Sequence, residues 1–405
     1  GTTGGGIEGI NQPGYSQNTN VIGSVQTGIP FNTLANPFPN GFLQPVGSSL
    51  GLLTGIGTGI SFQNPSFEIP YTDQWAVGVN LELPWNTGLD VAYVGNHMSK
   101  LPVSTAINEV SRSEREKAIE AMGGNASYLT TLLPNPFAGR VNPALSLNNP
   151  TVQRQQLLRP YPQFGGITEN LDNTGWARYN ALEAVLNKRL SHGLTTAVNY
   201  TWSRQYEATD VGGVRSAYLN NGFDTEPYED LASIDRTHHI AVSALYELPF
   251  KGTRWLEGWQ LNVLYEWVSG TPTAMPNGIL RQPSAKLPSG QQTLDRWFDN
   301  STRNNPHPDG SYAWDTLAPN AFRVAPFRMK DVRDPSVQTM SISLFKNTRV
   351  GANKNLQLRA ELFNPFNTRY YGGPNTGITS PQFGKITPSQ FNFPRQGQLG
   401  VRFVF

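Results

Sequence analysis

Cysteine is absent from the 405 residues, which excludes disulfides and thiolate metal sites. An excess of either charge is also missing. Lys and Arg total 31 against 29 Asp and Glu, a net charge of +2, so no nucleic-acid partner is expected. No run approaches the ~18 consecutive apolar residues of a membrane helix. The closest stretch, GSSLGLLTGIGTGI at 47–60, is too short and too rich in glycine. The chain opens GTTGGGIEG, without an initiator Met or a signal peptide, so a processed product or a piece of a longer chain is expected. The patterns G-x-S-x-G, H-E-x-x-H and the phosphate-binding loop do not occur. The expectation is a protein that is not an enzyme, with no catalytic residues and no cofactor or metal.

What the chain does have is turn formers, aromatics and alternation. Gly (40) and Pro (31) favour turns over long helices. Aromatics make up 11% of residues and charged residues only 15%. Period-2 segments recur from about residue 70 onward. In QWAVGVNLEL (74–83), Trp75, Val77, Val79, Leu81 and Leu83 alternate with Gln74, Gly78, Asn80 and Glu82. LDVAYVGN (89–96), LTTAVNYTW (194–202), HIAVSALYEL (239–248), WQLNVLYEW (259–267), QTMSISLFK (338–346), NLQLRAELF (355–363) and GQLGVRFVF (397–405) follow the same rule. ALEAVLNKRL (181–190) is less regular, because Val185 interrupts it.

Connection lengths alternate as well. PWNTG, SHG, PFKGTR and RVGANKN are short, whereas the connections near 97–160, 203–233, 269–333 and 364–394 are long. Short turns at one end and long loops at the other describe an all-β fold, a transmembrane antiparallel β-barrel. Residues 1–70 would supply a preceding strand and a long extracellular loop, and 71–405 the barrel strands. In a bilayer every backbone polar group must be satisfied within the sheet, so one face meets outer-membrane lipid and the other can be wet. That accounts for the soluble-looking mean hydropathy of −0.40. Lumen-lining candidates are Asn80, Glu82, Asp90, Glu183, Asn199, Glu247, Asn262, Glu266, Gln357, Arg359, Glu361 and Arg402. Trp75, Trp202 and Trp267 fall where strands meet long loops, and Trp85, Trp255, Trp259 and Phe405 fall near short turns or the terminus. These seven would form two interfacial girdles. A soluble all-β binding protein is the main alternative.

About nine spanning strands follow from residue 74, and GYSQNTNVIGSVQ (14–26) would supply a tenth. PQFGGITENL (162–171) also looks strand-like, but counting it as a span would put SHG on the long-loop side, so it is placed in an extracellular extension. SRSEREKAIEAMGG (111–124) reads as a solvated helix with a Ser start and a glycine stop. His238 and His239 would point to opposite faces of a strand, so with Asp235 and Arg236 a structural polar cluster is expected. Asp295, Asp299, Asp309 and Asp315 carry oxygen ligands for Ca²⁺, but their spacing matches no calcium loop, and a solvated acidic loop is preferred. Trp297, Tyr312 and Trp314 are read as loop packing ahead of ligand contact.

Several phrases, in this order, resemble the C-terminal part of Oar-like, carboxypeptidase-regulatory-like TonB-dependent outer-membrane receptors. They include FNTLANPFPNGFLQPVGSSLG (31–51), PYTDQWAVGVNLELPWNTGLDVAYVGN (70–96), QLLRPYPQFGGI (156–167) and YNALEAVLNKRLSHGLTTAVNYTWS (179–203). IDRTHHIAVSALYELPF (234–250), SLFKNT (343–348), AELFNPFN (360–367) and GQLGVRFVF (397–405) complete the set. The resemblance implies about the last ten strands of a barrel of about 22. It also implies a plug, the remaining barrel strands and TonB as partners through parts outside this chain. The C-terminus would lie on the periplasmic side of the outer membrane of a diderm bacterium. Leu399, Val401, Phe403 and Phe405 would then be the insertion signal read by the outer-membrane assembly machinery. The implied function is uptake of an unidentified ligand. The alternatives are a self-contained porin-like or structural barrel and a scaffold subunit of an envelope complex.

Overall fold

The computed structural model describes residues 14–15, 19, 35–39, 41–119, 123–141, 145–208, 229–318, 321, 326–351 and 354–405. Among the described residues, nine long strands form the framework. They are β1 (Tyr71–Leu83), β2 (Thr87–Ala106), β3 (Ile167–Ser191), β4 (Leu194–Ala208), β5 (His238–Glu247), β6 (Trp259–Val268), β7 (Val337–Arg349), β8 (Asn355–Phe363) and β9 (Gln396–Val404). Each pairs antiparallel with the next in chain order, so the sheet is a meander with β1 and β9 at its edges. The segment 14–26, expected as a tenth strand, lies almost wholly outside the described residues.

Turn chemistry fixes the short connections. Between β3 and β4 only His192 and Gly193 intervene, at φ 52° and 77°. Two successive positive φ values match the twist of a tight hairpin, and glycine adopts them without steric cost. Trp85 and Asn86 do the same between β1 and β2, at φ 63° and 59°. Because neighbouring strands run antiparallel, all the short connections fall at one end of the sheet and all the long ones at the other.

Strands β2 and β3 overrun the rest. A spanning strand needs about 9–11 residues, whereas β2 has 20 and β3 has 25. Residues 97–106, taken from the sequence as loop, are strand, and 167–171, read as part of an extracellular extension, continue into β3. The pairing shifts register between Met98 and Thr105, and Ile60–Gln63 adds a parallel strand along Ile167–Asn170. The result is a ribbon that projects from the long-loop end.

The helix expected over 111–124 is confined to α1 (Arg112–Glu116). Ser111 caps it by accepting from the Glu114 amide, and the next amides bond three residues back, Ala118 to Arg115 and Ile119 to Glu116. That tightening ends the α-helix before the glycines. A second short helix, α2 (Arg154–Leu157), lies in the same connection. No helix among the described residues is long and apolar enough to cross a membrane.

The compact apolar cores sit in the long connections. Phe298, Trp314, Met329, Val332 and Phe383 join the connection after β6 to the one after β8. Val110, Ala118 and Leu129 form a smaller core in the connection after β2. Among the described residues, nothing covers the apolar face of the sheet in this way.

Candidate functional site

Cross-strand register decides which side chains share a face. One row reads Leu81, Leu89, Leu186, Val198, Val242, Tyr265 and Met340 from β1 to β7. The row beside it reads Val79, Val91, Ala184, Tyr200, Ile240 and Trp267. Toward β9 the same face continues as Leu344, Ala360 and Leu399, and as Leu358 and Val401. This face is apolar across all nine strands and open to the surroundings: Val77 is 75% exposed, Leu399 87% and Phe405 88%. Soluble proteins rarely expose a continuous apolar patch beyond a few hundred Å².

The opposite face carries the polar residues. Asn80, Asp90, Asn199 and Glu266 lie in one row, separated by Val185 and Ala241. Asn262 and Glu361 lie in another with Ser343. Glu82, Glu183, Glu247, Gln357, Arg359 and Arg402 share this face, so register brings all twelve lumen candidates to one side. Leu264, Phe345 and Phe363 lie there too. A hollow of about 570 Å³, lined by Asn187, Ser243, Asn262, Ser343 and Glu361, opens on this side.

Part of this polar face is hydrogen-bonded to itself, although Asn262 Nδ2 is buried without a partner among the described residues. Gln260 donates to Glu247 at 3.2 Å, Asn347 to Gln260 at 3.0 Å, Gln357 to Asn347 at 2.8 Å and Arg359 to Gln357 at 2.6 Å. The ladder crosses β5 to β8. Arg359 also lies 5.0 Å above the Phe345 ring. His239 Nε2 and Glu266 Oε1 are 2.9 Å apart on the same face. His238, its neighbour in sequence, lies on the other face and meets Tyr200 Oη at 2.9 Å. Beyond it, Arg333 donates to buried Asp235 at 2.6 Å and Arg236 to the Ser269 carbonyl at 2.8 Å, a structural polar cluster.

The apolar band has polar limits at both ends. Toward the long loops, Trp75, Tyr93, Leu182 and Trp202 give way to Asn180, Arg204 and Arg178. Trp75 lies over Gly95, where a Cβ would meet the indole at 2.4 Å. Trp267 lies near this end, on the same face. Toward the short turns, Trp259 lies opposite Lys346 on the apolar face, with exposed Trp85 and Trp255 in the connections. Phe405 follows β9 and stacks on Phe403 at 6.0 Å.

Two lysines on this apolar face escaped the sequence reading. Lys188 donates to the Trp85 carbonyl at 2.9 Å, and Lys346 to the Arg254 carbonyl at 2.8 Å. Each bends its ammonium to a carbonyl of a short connection and leaves its stem along the apolar face. Both could have been found by noting a lysine at lipid-face parity within one turn of a hairpin.

The acidic loop is internally paired. Asp315 takes bonds from Arg303 at 2.6 Å and Arg281 at 2.5 Å, which together hold its carboxyl at about 2. Burial would raise Asp299, but bonds from Gln282, Ser301 and His307 outweigh it and bring that carboxyl to about 2. Ser301, His307 and Asp299 resemble a catalytic triad in composition only. One imidazole nitrogen, Nε2, faces both the hydroxyl at 3.1 Å and the carboxylate at 3.0 Å. A relay needs the two ring nitrogens for two different partners. Trp314 is fully buried and donates to the Asp299 carbonyl at 2.6 Å, while Trp297 donates to that of Arg333 at 2.7 Å. Tyr312 has the Arg281 and Arg303 guanidinium groups 5.6 and 5.8 Å from its ring. Among the described residues no three His, Asp or Glu side chains converge as a metal site.

The sequence pattern of the outer membrane beta barrel domain matches residues 2–398. The chain belongs to that family. Its apolar face is thus the surface of an outer-membrane wall that crosses the bilayer on strands. No curated protein matches the sequence significantly. Solved structures similar in part include the ferripyoverdine receptor of the outer membrane of Pseudomonas aeruginosa, at 11% identity and a TM-score of 0.37, over 84% of this chain and 28% of that one. The outer membrane transporter YddB from Escherichia coli matches at 11% identity and a TM-score of 0.40, over 86% of this chain and 34% of that one. The copper transporter OprC matches at 10% identity and a TM-score of 0.32, over 84% of this chain and 32% of that one. The chain therefore spans about a third or less of the length of these proteins.

Proposed function

We propose that this wall is part of a TonB-dependent receptor of the Oar-like type that takes up a ligand across the outer membrane. One observation carries the reading: a continuous apolar face backed by a hydrogen-bonded polar face, with every long connection at one end. The long connections lie outside the cell and make first contact with ligand. The polar face, with Glu247, Glu266, Arg359 and Glu361, lines the lumen and faces a plug. Further strands complete the wall beyond β1 and β9, whose edges pair with none of the other long strands here. The C-terminus is periplasmic, β9 carries the signal read by the assembly machinery, and TonB relays energy through parts outside this chain.

Sidedness and plug contact test the reading in the native full-length protein. Single cysteines replace Asp309 in a long loop and Asn86 in a short turn. An impermeant maleimide should label Asp309→Cys on intact cells and Asn86→Cys only after lysis. A third cysteine at Glu266 should cross-link to a plug segment of the same polypeptide. The reverse labelling pattern overturns the orientation. Open conductance without any plug cross-link overturns the receptor in favour of a porin-like barrel.

A further inference from the structure

A hollow of about 570 Å³ opens on the outward side of the wall, just beyond the long-loop limit of its apolar band. Its lining includes Trp75, His97, Lys100, Asn173, Trp176 and Arg178. Register puts Trp75, His97 and Arg178 on the side of the apolar rows. Trp75 follows Val79 and Val77 along β1, and Asp73, His97, Arg178 and Tyr206 form the row beyond it. The hollow therefore continues the lipid face and does not open into the lumen.

Depth says what it meets. Lys188 bends to a carbonyl at the short-turn limit, and Arg178 stands ten residues from it along β3. At about 3.3 Å per residue and a tilt of about 40°, that separation is about 25 Å along the membrane normal, the height of a barrel's apolar band. Arg178 thus lies where hydrocarbon gives way to headgroups. Acyl chains meet the exposed Val77, Tyr93 and Leu182 below it, and the headgroup joined to those chains comes level with the hollow.

Two cations reach this level by different routes. Arg178 arrives by parity. It gives Glu229 one nitrogen, Nη2, at 3.1 Å, and its guanidinium lies 5.7 Å from the Trp176 ring and 5.2 Å from that of Tyr206. The side chain is 47% exposed, so the edge with Nε is open to an incoming oxyanion. Lys100 arrives by a bulge. Even-numbered residues of β2 such as Asp90 face the lumen, but the pairing shifts between Met98 and Leu101, and Lys100 takes φ 57°, which a lysine rarely adopts. Its ammonium then lies 5.9 Å from the Tyr71 ring on the outward side and pairs with Glu68. Exposed ion pairs of this kind are weak, so Glu229 and Glu68 orient the two cations without barring a phosphate from them.

We propose that this hollow seats the phosphate of a membrane-lipid headgroup. Arg178 and Lys100 hold the phosphate, Trp75 and Trp176 flank it, and the lipid's chains lie on the apolar rows below. The site rests on the lipid face of the wall and not on the receptor reading, which decides only the leaflet.

The test uses the native full-length protein in a neutral detergent, with dioleoyl phosphatidic acid, dioleoylglycerol and inorganic phosphate as probes. Mass spectrometry of the intact complex counts the lipid retained. Phosphatidic acid should be retained at least fivefold more than dioleoylglycerol, which has the same chains and no phosphate. Arg178→Gln combined with Lys100→Gln should lower that retention at least fivefold, and Arg178→Lys should keep part of it. Arg112→Gln, on α1, should leave it unchanged, and circular dichroism confirms that each variant is folded. Equal retention of the two lipids, or retention indifferent to the double substitution, overturns the site. Displacement of the lipid by a tenfold excess of inorganic phosphate overturns the lipid as its occupant in favour of a free oxyanion. If labelling of intact cells places the long connections in the periplasm, the receptor orientation falls while the headgroup site stands in the other leaflet.

Discussion

Lys346 lies on the apolar face opposite Leu358, yet its ammonium donates to the Arg254 carbonyl at 2.8 Å and to that of Glu257. A charged group at this position is stable only where hydrocarbon ends and polar partners begin. Lys346 therefore marks the short-turn boundary of the lipid face, as Trp259, 5.9 Å from its ammonium, does with an aromatic ring. Replacing it by Met keeps the stem but leaves two connection carbonyls without their donor. Leaving a buried polar group unsatisfied costs about 1–3 kcal/mol. Urea unfolding from lipid vesicles should show a loss in that range for Lys346→Met. A change within about 0.5 kcal/mol would mean that the lysine holds nothing.

Ala241 and Val242 are neighbours on opposite faces of β5. An arginine at the bilayer midplane on a lipid face costs about 2–4 kcal/mol, whereas a lumen position tolerates it. Val242→Arg should therefore destabilise the wall by that amount, and Ala241→Arg by much less. Equal penalties in vesicle unfolding would contradict the assignment of faces.

The loop core should behave as a separate unit. Trp314 is fully buried, with the Phe298 and Phe383 ring centroids each 6.1 Å away. Truncating such a residue to Ala costs about 3–5 kcal/mol in a packed core. Trp314→Ala should open the connections after β6 and β8 to protease together, since Phe298 comes from one and Phe383 from the other. Strands β6 to β9 should remain protected. Loss of the whole wall would show that the two parts fold as one.

Acid should loosen the same core. Asp299 and Asp315 have folded values of about 2 against an ordinary 3.8. A depressed carboxyl contributes stability that is full above its unfolded value and lost as pH falls through the folded one. Hydrogen exchange over 295–315, corrected for intrinsic rates, should be unchanged from pH 7 to about 5 and rise between about 4 and 2. Asp315→Asn should show part of that rise at pH 7. Exchange that is flat to pH 2 would mean that the carboxylates do not hold the loop.

The alternation in β1, β5 and β6 made the wall legible in the sequence, because period 2 is dictated by the backbone and survives any curvature. Lumen candidates such as Glu266 and Gln357 were nameable from parity alone. Their mutual bonds were not, since a ladder from Glu247 to Arg359 depends on the stagger between strands. The length of β3 was harder to read: residues 168–174 are polar on both sides apart from Leu171, as suits a ribbon above the lipid, and give little of the apolar alternation that marks the other strands. The α1 stretch looked helical from its charges, but isolated short helices are marginal, and turn-type bonds ended it after Glu116.

The absence of native cysteine allows a direct test of the two faces. Single spin labels placed in turn at residues 195–202 of β4 report contact with oxygen, which partitions into lipid, and with a water-soluble nickel complex. Oxygen contact should peak at Val198 and Tyr200, and nickel contact at Asn199 and Thr201, in strict alternation. A profile without alternation, or with the two reagents exchanged, would contradict a wall with hydrocarbon on one side and water on the other.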